Sequence, residues 1–148
     1  MYIEIGPASL VVTGEKDGKP FAFARRQVED LVSGILREIG ECLPVLRQKA
    51  YRIKNVSHLP EVAKRMTEAA KMVDEATLTP MAAVAGAVAD MVKEHFRMEG
   101  HDLLTVNNGG DLSIFNKTGR PLKVGMGDII TGKATPCVMA ITDIHDFG

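Results

Sequence analysis

Thr79-Pro80-Met81-Ala82-Ala83-Val84-Ala85-Gly86-Ala87-Val88-Ala89-Asp90, followed by Val106-Asn107-Asn108-Gly109-Gly110-Asp111, is the stretch on which the fold turns. Thr79 suits an N-cap and Pro80 the first helical position, where its missing N–H would have no partner anyway, so a helix is expected to start here. It is expected to run to about Met98 and to stop before Gly100, a plausible C-terminal glycine. Positions 81 to 89 are apolar on every side, which predicts a helix buried all round. Its small side chains admit a neighbouring backbone or a flat ligand, and its N-terminal N–H groups and dipole favour an anion. In the 107–111 turn, Gly109 and Gly110 permit positive φ and expose backbone N–H groups to a phosphate or a nucleotide edge. Asp111 is suited to accept from ribose hydroxyls or base amines, or to help hold a cation. Each half also has a plainer reading: a core helix under a sheet, and a hairpin turn spelled with its favoured residues.

Outward from this centre, the chain opens as strand, turn and strand over 2–5 and 9–13, with Lys16-Asp17-Gly18-Lys19-Pro20 as a polar turn. From about Arg25, Val28, Leu31, Val32, Ile35, Leu36 and Ile39 recur at helical spacing, and Gly40 and Pro44 are expected to weaken or end that helix. The basic 47–56 segment suggests a connecting strand or loop. A second helix is expected near Pro60, burying Val62, Met66, Ala69 and Val73. Strands are expected over 103–106, 112–115, 122–124 and 137–142, with turns at Gly109-Gly110, Lys117-Thr118-Gly119 and 125–127. Strands flanking a block of helices predict an α+β fold with a mainly antiparallel sheet.

The 148 residues suit one domain, 1–148, able to bury a core without disulfides or a structural metal. A formal net charge of -1 and the lack of any long Lys/Arg run argue against nucleic acid as a partner. Cys42 and Cys137 fit no zinc pattern and, with no secretory signal or lipoprotein leader, point to reduced thiols and a cytoplasmic location. The longest apolar stretch falls well short of the roughly 20 residues of a membrane span. His58, His95, His101 and His145 share no metal-like spacing; His95 and His101 read as surface or capping histidines, and no metal site is expected. Asp146-Phe147-Gly148 lacks every other kinase element, and Gly125-Met126-Gly127-Asp128 lacks the strand-to-helix context of a dinucleotide fingerprint and reads as a turn.

The 77–90 segment, beginning Thr77-Leu78-Thr79-Pro80, followed by Val106-Asn107-Asn108-Gly109-Gly110-Asp111, resembles an uncharacterised bacterial and archaeal family related to ApbE. ApbE proteins are FAD:protein FMN transferases, once described as thiamine biosynthesis lipoproteins. The opening Ile3-Glu4-Ile5-Gly6-Pro7 and the Leu59-Pro60 helix start fit the same family, so the resemblance covers nearly all of the chain. It implies an ApbE-like, T-fold-related α+β architecture in which Thr79, Asn107, Asn108, Gly109, Gly110 and Asp111 border a cleft for a flavin nucleotide, FAD or FMN. In the transferases a magnesium ion assists transfer of FMN to a protein threonine. Related chains continue into a Thr/Ser-Ser-Gly segment and an Ala-Asp-Ala helix, which this sequence, ending at Phe147-Gly148, is expected to lack.

Three readings follow. In the first, an ApbE-related domain binds a flavin or another nucleotide at those six residues. In the second, a non-catalytic structural or assembly module keeps the fold without the site. The third is FMN transfer, with magnesium as its cofactor. A sheet without its last strands would leave an open edge, which a homo-oligomer would cover.

Overall fold

A computed structural model describes residues 1–127, 131, 133–141 and 145–147. The sheet begins with two tight hairpins. β1 (Tyr2–Ile5) pairs antiparallel with β2 (Ala8–Lys16) through Gly6-Pro7, and β2 pairs with β3 (Lys19–Pro20) through Asp17-Gly18. Asp17 and Gly18 both take positive φ, 53° and 70°, the backbone that a two-residue turn needs to follow the strand twist.

Three helices follow: α1 (Arg25–Leu46), α2 (Glu61–Asp74) and α3 (Val84–Met98), with single 3₁₀ turns at Ala50–Arg52 and Pro80–Ala83. The chain then returns to the sheet as β4 (Leu103–Asn108) and β5 (Asp111–Asn116). β4 lies antiparallel beside β2, and β8 (His145–Phe147) extends the far side, giving the order β1-β2-β4-β5-β8 with β3 beside β2. β6 (Leu122–Gly127) and β7 (Ala134–Ile141) form a separate antiparallel pair. The α+β class and antiparallel pairing are therefore as expected. No described helix is long and apolar enough to cross a membrane.

One face of the sheet carries the core. Ile3, Leu10, Val12, Leu104 and Val106 are fully buried and pack with Val28 and Val32 of α1, Val62 and Met66 of α2, and Val88, Val92 and Phe96 of α3. Their alternation along the strands puts every second side chain on the helices. At one end Phe23 meets Phe96 edge-on, with ring centroids 4.7 Å apart. The ring of Phe23 crosses β2 where Gly14 supplies no side chain; a Cβ there would come within 2.8 Å of Phe23 Cζ. His101, expected at the surface or as a cap, is buried, and its Nδ1 lies 2.7 Å from the Phe96 carbonyl in α3's last turn. The capping role holds and the surface one does not, because Phe21, Phe23 and Phe96 surround the ring. His95 is the more exposed of the two and faces Glu99 at 3.6 Å.

Several boundaries differ from expectation for definable reasons. α1 runs through Gly40 and Pro44 to Leu46. A proline there deprives the Gly40 carbonyl of its donor, and Gly40 is exposed, where the lost bond costs least. The 47–56 segment contains a 3₁₀ turn rather than a strand. Pro60 is the N-cap of α2, one residue before its first turn. The buried stripe of α2 is Val62, Ala63, Met66, Thr67 and Ala70, so Ala69 is only half-buried and Val73 is 77% exposed. Gly125 and Gly127, expected in a turn, belong to β6, where the register slips between them. Asp128, Thr142 and Gly148 lie outside the described residues.

Candidate functional site

The 107–111 segment forms a two-residue hairpin, with Asn108 opposite Asp111 and Gly109 and Gly110 at φ 63° and 116°. Gly109 N–H donates to the Ser9 carbonyl at 3.1 Å, tying the tip to β2. The five residues divide the work. Asn107 Oδ1 accepts from Gly110 N–H at 2.9 Å and closes the turn. Asn108 is 5% exposed and bridges two elements: its Oδ1 accepts from Ser9 N–H at 3.1 Å, and its Nδ2 donates to the Ala85 carbonyl of α3 at 3.2 Å. Asp111 is exposed and points its carboxylate across to α3, where a Cβ on Gly86 would sit 3.6 Å from Oδ2.

The start of α3 departs from the sequence reading. Thr79 has extended backbone, φ -105° and ψ 155°, but makes no side-chain cap, and Pro80 opens a 3₁₀ turn rather than the α-helix. The α-helix begins at Val84 after Ala83, so its dipole end lies a turn beyond Thr79. Nor is this segment buried all round. Ala82 is exposed, the residues from Ala83 to Gly86 are half-buried, and only Ala87, Val88 and Ala89 are fully enclosed. The reason is a pair of clefts flanking the helix start.

The larger cleft, about 290 Å³, is lined by Arg65 and Ala69 of α2, by Ala83, Gly86 and Ala87, and by Asp111 and Leu112. The second, about 160 Å³, lies between the β1–β2 turn, Leu36 of α1, Val84, Ala85 and Val88 of α3, and Asn108 and Gly109. The Asn108–Ala85 bridge joins the hairpin to α3, and Asn108 and Ala85 belong to the lining of the second cleft. The larger cleft thus has a floor of small apolar side chains, a carboxylate and a guanidinium. Of the six expected site residues, Asp111 lines the larger cleft, and Asn108 and Gly109 the smaller. Asn107 and Gly110 shape the turn between them. Thr79 lines neither.

Sequence reasoning passed over the residues below and beside the larger cleft. Gly86, Asp90 and Lys93 recur along one side of α3, with Gly86 beside Asp111 and Asp90 beside Ser113 of β5. Ser113, fully buried, donates from Oγ to Asp90 Oδ1, which lies 3.5 Å from Lys93 Nζ; Lys93 is 3% exposed and also meets Glu94 Oε1 at 3.5 Å. One turn on, the Arg97 guanidinium lies 5.0 Å from the ring centre of Phe115. A polar stripe at helical spacing within an apolar helix was the available signal. Arg65 gave none, since with Glu61 it spells an ordinary exposed i,i+4 pair. Among the described residues, no three His, Cys, Asp or Glu side chains gather as metal ligands would.

A family model described as AbpE bacteria matches residues 1–141. A UPF0280 protein of Methanothrix thermoacetophila is 37% identical over 93 residues, which is 63% of this chain and 35% of the relative. The chain thus matches about a third of that relative's length.

Proposed function

This chain belongs to the AbpE bacteria family, and we propose that the cleft between α3 and the β4–β5 hairpin binds a flavin, FAD or FMN, or another nucleotide. The observation that carries the reading is the lining of the larger cleft: Ala69, Ala83, Gly86 and Ala87 beside the Asp111 carboxylate. Small side chains let a planar ring lie against the helix, and a carboxylate at the rim accepts from ribityl or ribose hydroxyls. Gly86 supports the fit, because its missing side chain leaves open the space that faces Asp111. At about 290 Å³ the cleft matches the lower end of the range for small-molecule sites, suited to one ring system with its adjoining sugar.

Calorimetric titration with FAD and FMN, with and without magnesium, tests this, together with the visible spectrum of the purified protein. Binding that weakens in Asp111→Ala and Gly86→Leu, with both variants folded, supports the site. A colourless protein that binds neither flavin nor any nucleotide refutes it.

The structural-module reading is favoured by one observation: both Asn107 and Asn108 spend side-chain groups inside the protein rather than on a ligand. The titration decides between the two. FMN transfer stands third, because the described residues do not form a cluster fitting a magnesium ion.

A further inference from the structure

We infer that Arg65 makes the larger cleft selective for phosphorylated ligands, so that a nucleotide binds more tightly than its unphosphorylated counterpart. The inference rests on the proposed binding role of that cleft and names the feature its ligand carries. Among the described lining residues Arg65 is the one cation, carried on α2, and Asp111 is the one carboxylate, carried on the β4–β5 hairpin. A ligand whose hydroxyls meet Asp111 thus shares the cleft with a guanidinium, a planar fork whose geometry matches phosphate oxygens.

The guanidinium is available for exchange. Its partner is Glu61, with Nε 3.1 Å from Oε1, and the two side chains are 35% and 54% exposed. Such i,i+4 surface pairs are weak and readily traded for a dianionic phosphate. Asp111 repels an anion and Arg65 attracts one, which favours hydroxyls toward the hairpin and phosphate toward α2.

The test compares molecules differing by one phosphate, riboflavin with FMN and adenosine with AMP, by calorimetry on the full chain. FMN or AMP is expected to bind about tenfold more tightly than its unphosphorylated partner, the effect of one charge-assisted contact at a half-exposed site. Arg65→Gln should bring that ratio close to one, with the larger loss of affinity falling on FMN and AMP. Arg65→Lys should restore part of it, and Glu61→Gln should raise FMN affinity about twofold by freeing the guanidinium. Equal binding of phosphorylated and unphosphorylated partners overturns the inference while leaving the cleft as a binding site. Binding of none of the four, together with no binding of FAD or any other nucleotide in the titration above, overturns the proposed function itself, and this inference with it.

Discussion

Replacing Asn108 by alanine should loosen the hairpin from α3 and β2 together. The side chain is 5% exposed and makes two hydrogen bonds, to Ser9 N–H at 3.1 Å and to the Ala85 carbonyl at 3.2 Å. Two such bonds contribute about 2 kcal/mol net, and leaving the Ser9 N–H without its acceptor adds up to about 1 kcal/mol, since Ser9 is half-buried and water reaches it in part. The total of about 2–3 kcal/mol corresponds to a fall in Tm of roughly 5–10 °C for a chain of this size. Urea denaturation followed by circular dichroism gives the stability change directly, provided the slope against urea is unchanged. Asn108→Asp separates the two bonds. The introduced carboxylate still accepts from Ser9 N–H but faces the Ala85 carbonyl with no proton to donate. Burial there raises its folded pKa, so this variant should be least stable at neutral pH and recover as the pH falls and the acid regains a donor. An Asn108→Ala variant within about 0.5 kcal/mol of the parent protein, the scatter of ordinary surface changes, refutes the clamp.

Gly14→Ala should cost about 1–3 kcal/mol by overpacking, because the new Cβ meets Phe23 Cζ at 2.8 Å, Leu104 Cδ2 at 3.0 Å and the Leu103 carbonyl at 3.1 Å; thermal unfolding checks it, and Phe23→Leu in the same chain should recover part of the loss. Lys93→Ala should cost about 2–3 kcal/mol in the same measurement, less than a fully buried pair, because the Asp90 and Glu94 side chains it leaves behind are 26% and 27% exposed and gain water. Asp102 is held below its ordinary 3.8 by the Lys117 ammonium hydrogen bond first, and then by Gly18 N–H. A depressed folded pKa means stability that is present above the ordinary carboxylate range and lost as pH falls through the folded value, so the acid-side loss of stability below the ordinary carboxylate range should be slightly shallower in Asp102→Asn.

The parts of the fold that were legible in the sequence are those where one residue type has one use. Gly109-Gly110 between alternating strands forms the expected hairpin, and Gly100, at φ 84°, ends α3 as expected. The first helix shows its stripe because Val28, Val32, Ile35 and Ile39 are unambiguous. The second helix is harder. Alanine and threonine fit either side of a helix, so nothing in the letters distinguishes a stripe through Ala69 and Val73 from one through Thr67 and Ala70. The structure takes the second, rotating the face so that Met72 and Val73 project outward. Thr79 misled for a related reason. Thr-Pro suits any helical turn, and only the packing of 80–83 decides that the first turn is 3₁₀ and that the α-helix waits until Val84.

The 107–111 hairpin was legible in position, but not the division of labour among its residues. Asn107 and Asn108 are the same residue type in adjacent positions, yet strand alternation sends one toward the turn and the other under the sheet. Burial then decides their roles. Asn108 must find internal partners because it is enclosed, and finding them commits it to holding α3 against the hairpin. Asp111, directly opposite it in the register but exposed, keeps its carboxylate for the cleft. A five-residue motif that reads as one ligand loop thus resolves into a closure, a clamp, a turn and a single outward-facing acid. The complementary charge, Arg65, comes from a helix whose sequence carries no mark of it. Under the proposed function, binding at this cleft depends on how the hairpin is held against the helices, and the Asn108 bridge to α3 is one of the contacts that holds it. If that is correct, Asn108→Ala should weaken ligand binding at the larger cleft without Asn108 touching the ligand, whereas Asn107→Ala should loosen the turn and leave the affinity nearly unchanged.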